Sequence, residues 1–430
     1  GNLVAKIQNT SPSVINANIA LTGNNNDLKI TGDYNTKESA FDMLLAINRL
    51  EMKTIQGFSM NAIKDTEGFI SGNLNLNGTI EKPSILGKVQ FNEVGLTVAE
   101  TGSNFRKIND AINFTSSGIE LNKFKINDAD GNSLTLNGYV LTETYRNFTF
   151  GLTANARNFK VVNSEKSSDA LMYGVLAINA NLNITGDMDL PVVDGSLKVT
   201  DKTNFTFVLP QSSPSLQERE GIVEFIDQDQ VSLQETIKTD EISSDTKIKG
   251  FDVNVNIDID KEAKTSLIID KANGDFVEIQ GEAQLTGGMD PSGKTTLVGV
   301  YQVEKGAYEL SVSLLKRRFE IQKGSTITWT GEPTTANLDI TAVYIAQAAP
   351  IDLVEQQISG LSSSEMNMYK QRMPFNTNLM LKGELLKPII TFDISLNEDN
   401  PSIPTTVLDN TKAKLDQLKT DEAEMNKQVF

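Results

Sequence analysis

The sequence predicts a mainly β protein, an elongated and curled antiparallel sheet that forms a trough with an apolar inner groove, a few short helices and a C-terminal helix. Apolar and polar residues alternate along most of the 430 residues, which is the period of a strand with one dry face. Helical periodicity is scarce, so little helix is available to cover that face. No Pro- or Ser-rich linker divides the chain into units the size of a sandwich domain.

The alternation is clearest in three segments. Leu74 and Leu76 alternate with asparagines, and the same pattern returns at Leu182 and Ile184 and in the run that begins at Val253. Successive side chains of a strand point to opposite faces, so each segment has one apolar and one wet face. We expect roughly 25 strands, which at about 4.8 Å per strand would give a length on the order of 120 Å.

The apolar residues of this alternation are the candidate lining of the groove. A sheet that folds over on itself as a sandwich would use the same residues as an ordinary core, and periodicity alone leaves both alternatives open. The candidates are Leu74, Leu76, Val89, Phe91, Leu134, Leu136, Phe148, Phe150, Leu182, Ile184, Leu197, Val199, Phe205, Phe207, Val253, Val255, Ile257, Leu310, Val312, Leu338, Ile340, Leu379, Leu381, Phe392 and Ile394.

A weak sequence repeat recurs between predicted strands. Gly78-x4-Pro83-x3-Gly87 has the same spacing as the segment from Gly186 to Gly195, and Gly383-x4-Pro388 begins a third copy. Each copy is typical of strand, tight turn and strand, because Gly permits unusual backbone angles and Pro can open a strand where no ladder donor is needed. Repeats of this kind indicate units stacked along one direction.

The trough is expected to be continuous over residues 1–396. A long acidic loop is expected at about 211–250 and a partly helical insertion at about 347–374. Residues 397–430 would form a linker and the C-terminal helix, where leucines recur near heptad spacing. We expect the chain to be a fragment of a longer protein, since it opens directly into an alternating stretch without a signal peptide.

Composition excludes several classes of function. A formal net charge of −17 argues against nucleic acid as a partner, because binding a polyanion requires clustered Lys and Arg. The chain has no Cys and no His, so no disulfide, thiolate metal site, catalytic triad or zincin helix can form. We therefore predict neither a catalytic site nor a metal nor a cofactor, and a protein that is not an enzyme.

Two segments resemble known ligand-binding loops, one for phosphate and one for calcium. Residues 288–295 fit the phosphate-loop pattern G-x-x-x-x-G-K-[ST], but a strand pattern follows where that loop requires a helix. Residues 128–132 resemble the start of a calcium loop, but Ser133 and Tyr139 stand at the required Gly and Glu. Both segments are predicted to be turns between strands, and no nucleotide is expected as a partner.

One stretch resembles a known family. Residues 304–344 include Lys316-Arg317-Arg318-Phe319 and Thr328-Trp329-Thr330-Gly331, and together with the Gly-x4-Pro segments they resemble the C-terminal region of TamB-family proteins, especially those of Bacteroidetes. The resemblance covers most of the chain. TamB-like proteins belong with the AsmA-like bridge proteins, which form a taco-shaped sheet with a hydrophobic groove.

The resemblance implies a location and partners. It implies a periplasmic protein, attached to the inner membrane through an N-terminal segment absent from this chain, that reaches the outer membrane and works with an outer-membrane barrel protein carrying POTRA domains. The function it implies is conduction of phospholipids or other acyl lipids along the groove. The alternative is assembly of outer-membrane proteins by β-strand templating, and a purely structural or adhesive rod remains a third reading.

Overall fold

The structure is a computed structural model that describes residues 1–167, 170–208, 250–270, 274–312, 315–396, 403–420 and 425. Strands make up 66% and helices 11% of the protein, which confirms the predicted mainly β class with few short helices. The acidic loop expected at 211–250 lies outside the described residues except for Gly250.

The structure describes 23 strands, most of them separated by a few residues. They are β1 Asn2–Ser11, β2 Val14–Gly23, β3 Asn26–Asn35, β4 Ala40–Glu51, β5 Ile63–Thr79, β6 Pro83–Val98, β7 Asn104–Ile108, β8 Ala111–Thr115, β9 Gly118–Asp128, β10 Ser133–Leu141, β11 Thr149–Ser164, β12 Met172–Gly186, β13 Pro191–Val199, β14 Asn204–Val208, β15 Asp252–Ile259, β16 Lys264–Asp270, β17 Asp275–Met289, β18 Thr295–Val312, β19 Leu315–Ile321, β20 Thr326–Gly331, β21 Asn337–Ala348, β22 Met373–Glu384 and β23 Ile389–Leu396.

The helices are few and short. In the described ranges they are α1 Met52–Phe58, α2 Ile351–Ile358, α3 Ser363–Met368 and α4 Thr405–Leu418, with a 3-10 turn at Pro333–Thr335. Helices α2 and α3 lie within the segment expected to be partly helical, and α4 is the predicted C-terminal helix.

All 23 described strands belong to one sheet, in which each strand pairs mainly with its neighbours in sequence. Four pairs of strands lie end to end and share one position across the sheet, which we call a rung: β7 with β8, β13 with β14, β15 with β16 and β19 with β20. The described strands therefore occupy 19 rungs. At about 4.8 Å per rung the sheet is about 86 Å long, less than the expected length because strands share rungs.

The ladder is antiparallel except at one seam. There β13 pairs with β15 and β14 pairs with β16 in parallel, so that Val192 lies beside Asp252 and Val208 beside Ile268. A parallel neighbour requires the chain to cross back before it re-enters the sheet. Val208 and Asp252 consequently lie at opposite ends of the strands. The predicted all-antiparallel ladder is thus wrong at this seam.

The strand ends form two rims of different character. The turns that join β5 to β6, β12 to β13 and β22 to β23 lie on one rim, and Pro83 and Pro191 are the first residues of the strands they begin there. We call this the proline rim. Helices α1 to α4 all connect or follow strand ends on the opposite rim, which we call the helix rim.

Glycines in mid-strand let neighbouring strands approach closely. Gly87 and Gly195, the third positions of the two complete repeats, have φ of +144° and +148°, a conformation that side chains rarely tolerate. A Cβ at Gly87 would overlap the carbonyl oxygen of Asn73, and one at Gly195 that of Asn181. Such glycines mark tight bends and close backbone approach in a strand.

This geometry predicts an effect of substitution. Gly195→Ala should lower the free energy of unfolding by more than about 1 kcal/mol, because the new side chain meets both an unfavourable φ and the Asn181 carbonyl. Gly331→Ala is the matched control, since it also lies in a strand but has open space around its Cα. Chemical denaturation of both variants tests the prediction, and equal midpoints would contradict the role of Gly195.

Candidate functional site

The ladder register places the predicted groove residues on one face. Leu74 lies opposite Gly87, Leu182 opposite Gly195, and Gly195 opposite Val255, with Leu285 beside Ile257. The same register continues to Ile340 beside Leu381 and Leu379 beside Phe392. We call this the inner face. Phe148 lies just before β11, and of Leu310 and Val312 only the backbone position on the inner face is described.

The inner face is not uniformly open. Leu338, Ile340, Leu379 and Leu381 are buried, as are Leu74, Val255 and Ile394, whereas Phe207 is exposed. The remaining candidates with described side chains are half-buried: Leu76, Val89, Phe91, Leu134, Leu136, Phe150, Phe148, Leu182, Ile184, Leu197, Val199, Phe205, Val253, Ile257 and Phe392.

The buried candidates of β21 and β22 belong to a core made of strands alone. The buried residues of this core come from β17, β18, β19, β21 and β22, and no helix residue is among them. We call this part of the sheet the closed segment. Leu379 and Ala342 have no exposed surface. An apolar sheet face reaches that state without a covering helix only if the sheet curls over itself. The open trough expected over residues 1–396 is therefore closed between β17 and β22.

Helices cover the inner face at two places along the helix rim. Helix α1 packs Met52 and Ile55 against Ile70 and Phe91. At the other end, α2, α3 and α4 form a cap with β22 and β23, in which Val354, Val407 and Leu415 contact Phe375 and Ile394. Ile394 therefore packs in a helical cap and does not line an open groove.

Strands β1 to β4 extend the inner face beyond the residues predicted from sequence. Leu45 lies opposite Leu74, Ile30 opposite Leu45 and Ile19 opposite Ile30, so an apolar row continues to the first rungs. The signal was present, because Met43, Leu45 and Ile47 alternate as the candidates do. Leu3 and Ile7 on β1 are 68% and 64% exposed, so the inner face opens to solvent at this end.

The inner face carries little charge. Burial raises the pKa of Tyr301 and Tyr308 to about 12, so both phenols stay neutral in the closed segment. Arg317 pairs with Leu310 in the ladder and so lies on the inner face near the helix rim, with its guanidinium carbon 5.5 Å from the centre of the Tyr344 ring. The outer face bears amides and hydroxyls, for example Asn181, Asn183 and Ser196.

Both loop-like motifs are turns between strands, as predicted. Residues 290–294 join β17 to β18, and the Asp290 carboxylate accepts hydrogen bonds from the Ser292 hydroxyl and from the backbone N–H of Ser292 and Lys294. These bonds hold the pKa of Asp290 below its usual value, with the Ser292 hydroxyl as the largest cause. Strand β18 occupies the place where a phosphate loop needs a helix.

The second turn is closed by Asp128. Its carboxylate accepts bonds from the backbone N–H of Asp130, Asn132 and Lys160 and from the Asn132 amide, so β9, β10 and β11 are joined at the helix rim. No group of three or more acidic side chains placed to hold a metal ion occurs among the described residues. Nor does that part of the chain contain a helix long and apolar enough to cross a membrane.

Comparison with known families identifies the region that carries the seam and the closed segment. A model of the TamB C-terminal domain matches residues 122–429, which is more than two thirds of the chain. No curated protein sequence matches it.

The half-buried and buried parts of the inner face should respond differently to charge. Ile184→Arg should leave the free energy of unfolding within about 1 kcal/mol of the parent value, since the guanidinium can reach water from a half-buried site. Leu379→Arg places a charge where no surface is exposed, which should cost about 3 kcal/mol or more. Thermal denaturation distinguishes the two, and equal losses would mean that both sites belong to a closed core.

The turn at 290–294 also gives a prediction. Lys294→Ala should change neither stability nor affinity for ATP or GTP, because neither nucleotide is expected to bind a turn that leads into a strand. Calorimetric titration of the parent and the variant is the measurement. Micromolar binding that the substitution abolishes would overturn this interpretation.

Proposed function

The chain belongs to the TamB family, and on that premise we propose that it conducts phospholipids along its inner face in the periplasm, between the inner and the outer membrane. The family serves transport and assembly in the cell envelope and generally works with an outer-membrane partner. The observation that carries the proposal is that each rung from β2 to β15 places apolar residues on the inner face, among them Ile19, Leu74, Leu182 and Val255.

The physical need for such a surface is large. A phospholipid has about 30 acyl CH₂ groups, and keeping each from water is worth about 0.8 kcal/mol, or about 25 kcal/mol in all. A continuous apolar face reduces that barrier. The half-buried rows of β5 to β15 could contact acyl chains while the head group stays in water at a rim, so no closed pocket is required.

The closed segment restricts the part of the inner face that acyl chains can contact. Between β17 and β22 the inner face is already filled by its own side chains, among them Phe319 and Leu379. In the described conformation, acyl chains could contact the exposed and half-buried residues of the inner face between β1 and β16, outside the buried cluster beside α1. For a lipid to move beyond β17, the proline rim and the helix rim would have to separate there. The open rungs from β1 to β16 do not need this step.

Photo-crosslinking can test acyl contact at adjacent residues on opposite faces. A photoreactive amino acid at Ile184, on the inner face, should crosslink to co-purified phospholipid, whereas the same group at Asn183, on the outer face, should not. Mass spectrometry of the crosslinked protein is the measurement. Equal labelling at both positions, or none at Ile184, would contradict lipid conduction along this face.

A second candidate function rests on the edge of the sheet. Among the described residues β23 pairs only with β22, and the cap covers Ile394, whereas Ile389 and Ile390 of the same strand are exposed. An unpaired edge can accept a strand from another chain, which is what templating of outer-membrane proteins would need. A partner that adds a strand should slow amide exchange at residues 389–392, and a lipid-only function would not.

A further inference from the structure

One cation of strand β19 has no carboxylate partner. Lys316, Arg317 and Arg318 follow one another on this strand, so their side chains alternate between the two faces of the sheet. On the outer face, the Lys316 Nζ lies 3.6 Å from the Glu309 Oε1 and the Arg318 Nε lies 3.2 Å from the Glu320 Oε1. Arg317 forms no ion pair in the described part of the chain.

Arg317 lies on the inner face, where the closed segment meets the helix rim. Phe319 and Ile321 are two and four positions further along β19 and are buried in the closed segment, and residues two apart on a strand share a face. Phe319 is 1% exposed, whereas Arg317 is half-buried. The closed segment therefore opens to solvent beside Arg317, so a ligand that lies along the helix rim can reach the guanidinium.

The contacts of the guanidinium leave most of its donors unused. Its carbon lies 5.5 Å from the centre of the Tyr344 ring, and its Nη1 donates a long hydrogen bond of 3.4 Å to the Lys316 carbonyl. A guanidinium has five N–H donors arranged in a planar fork. The remaining donors of Arg317 are available to an acceptor that approaches from the rim.

The neighbouring acidic residues do not neutralise Arg317. Residues 310–315, which precede it along the chain, include no Asp or Glu. Asp275 begins β17 on the same face as Val277, but β18 lies between β17 and β19, which is a separation of about 10 Å at 4.8 Å per strand. A cation that is partly withdrawn from water beside apolar side chains is stabilised by an anion that pairs with it.

We propose that Arg317 binds the phosphate of a phospholipid head group at the helix rim. A guanidinium can hold phosphate through two parallel charge-assisted hydrogen bonds, and this geometry is specific as well as strong. The apolar surroundings favour a lipid over a free phosphate ion, because a free ion would lose hydration there without an apolar contact in return. The inference rests on the proposed function, since it takes phospholipid as the ligand of the inner face.

The position of Arg317 along the sheet suits a lipid that has reached the closed segment. The rung of β15 and β16 is the last one before that segment, and it lies three rungs from β19, or about 14 Å at 4.8 Å per rung. One lipid can therefore place its phosphate at Arg317 while its acyl chains contact the inner face up to β16. Arg317 would hold the lipid at the point where further movement requires the rims to separate.

A phosphatidylglycerol analogue with a photoreactive head group tests this assignment. On irradiation it should label the protein close to Arg317 and Tyr344, and mass spectrometry of the digested protein locates the label. Arg317→Gln should reduce this labelling about tenfold, the factor expected for the loss of a charge-assisted hydrogen bond.

Arg318→Gln is the matched control. Arg318 has the same charge and is the next residue along β19, but it is exposed on the outer face beside Glu320, so this substitution should leave the labelling unchanged. Crosslinking of phospholipid through a photoreactive amino acid at Ile184 should be equal in both variants. That result would show that each variant is folded and still takes up lipid.

Competition distinguishes a lipid phosphate from a free one. Unlabelled dioleoylphosphatidylglycerol should displace the photoreactive analogue. Dioleoylglycerol has the same acyl chains without the phosphate and should compete about tenfold less well. Inorganic phosphate at the same concentration should not compete, because it makes no apolar contact.

Several outcomes would overturn the proposal. Labelling that Arg317→Gln leaves intact, or that Arg318→Gln reduces equally, would remove the role of Arg317. Equal competition by dioleoylglycerol would mean that only the acyl chains are recognised, and equal competition by inorganic phosphate would mean that the site takes a free anion. Lipid crosslinking at Ile184 that persists when these tests fail would leave lipid conduction standing without Arg317, so the two failures are distinguishable.

Discussion

The apolar inner face has no second layer to cover it, and the sheet must remove it from water largely by itself. Helix α1 and the α2–α4 cap reach it only along the helix rim. The sheet therefore has to curl to bury its inner face, which requires the strands to bend and neighbouring strands to approach one another closely. Gly87 and Gly195 supply backbone conformations that permit this, in positions where a Cβ would strike the next strand. Their recurrence in the repeat links the local sequence to the curvature of the whole sheet.

The degree of curling varies along the sheet. At β1 the inner face is open, between β5 and β15 it is mostly half-buried with a buried cluster at Val94, Ile108 and Phe124, and from β17 to β22 it is closed. The closed segment includes the aromatic side chains of Tyr301, Tyr308 and Phe319, each of which buries a large apolar surface. Because burial of the inner face varies in this way, one sheet contains both regions that can contact an apolar ligand and a region that has no room for one.

The alternation of residues predicted the class of fold and the face on which nearly every candidate lies, because side-chain direction in a strand follows from parity alone. It could not predict closure. Leu182 and Leu379 have the same pattern in sequence, yet one is half-buried and the other fully buried. That difference depends on how near the two rims come, which no local pattern encodes. The 61% exposure of Leu386, in the turn between β22 and β23, could not be predicted for a related reason, since the sequence of a turn does not show whether an apolar residue in it will be covered.

The parallel seam has a consequence for how the molecule acquires its structure. Along most of the sheet a strand meets its neighbour through a turn of a few residues, and such local contacts form quickly. At the seam Val192 meets Asp252 and Val208 meets Ile268, 60 positions apart in each case. Two meanders, residues 2–208 and 252–396, can therefore form independently during synthesis and join only afterwards. Bringing together residues 60 positions apart carries a larger entropic cost than closing a hairpin. We therefore expect the pairing of these two rungs to set the folding rate. A chain interrupted at that stage would expose the rung of β13 and β14 and the rung of β15 and β16 as edges that can mispair.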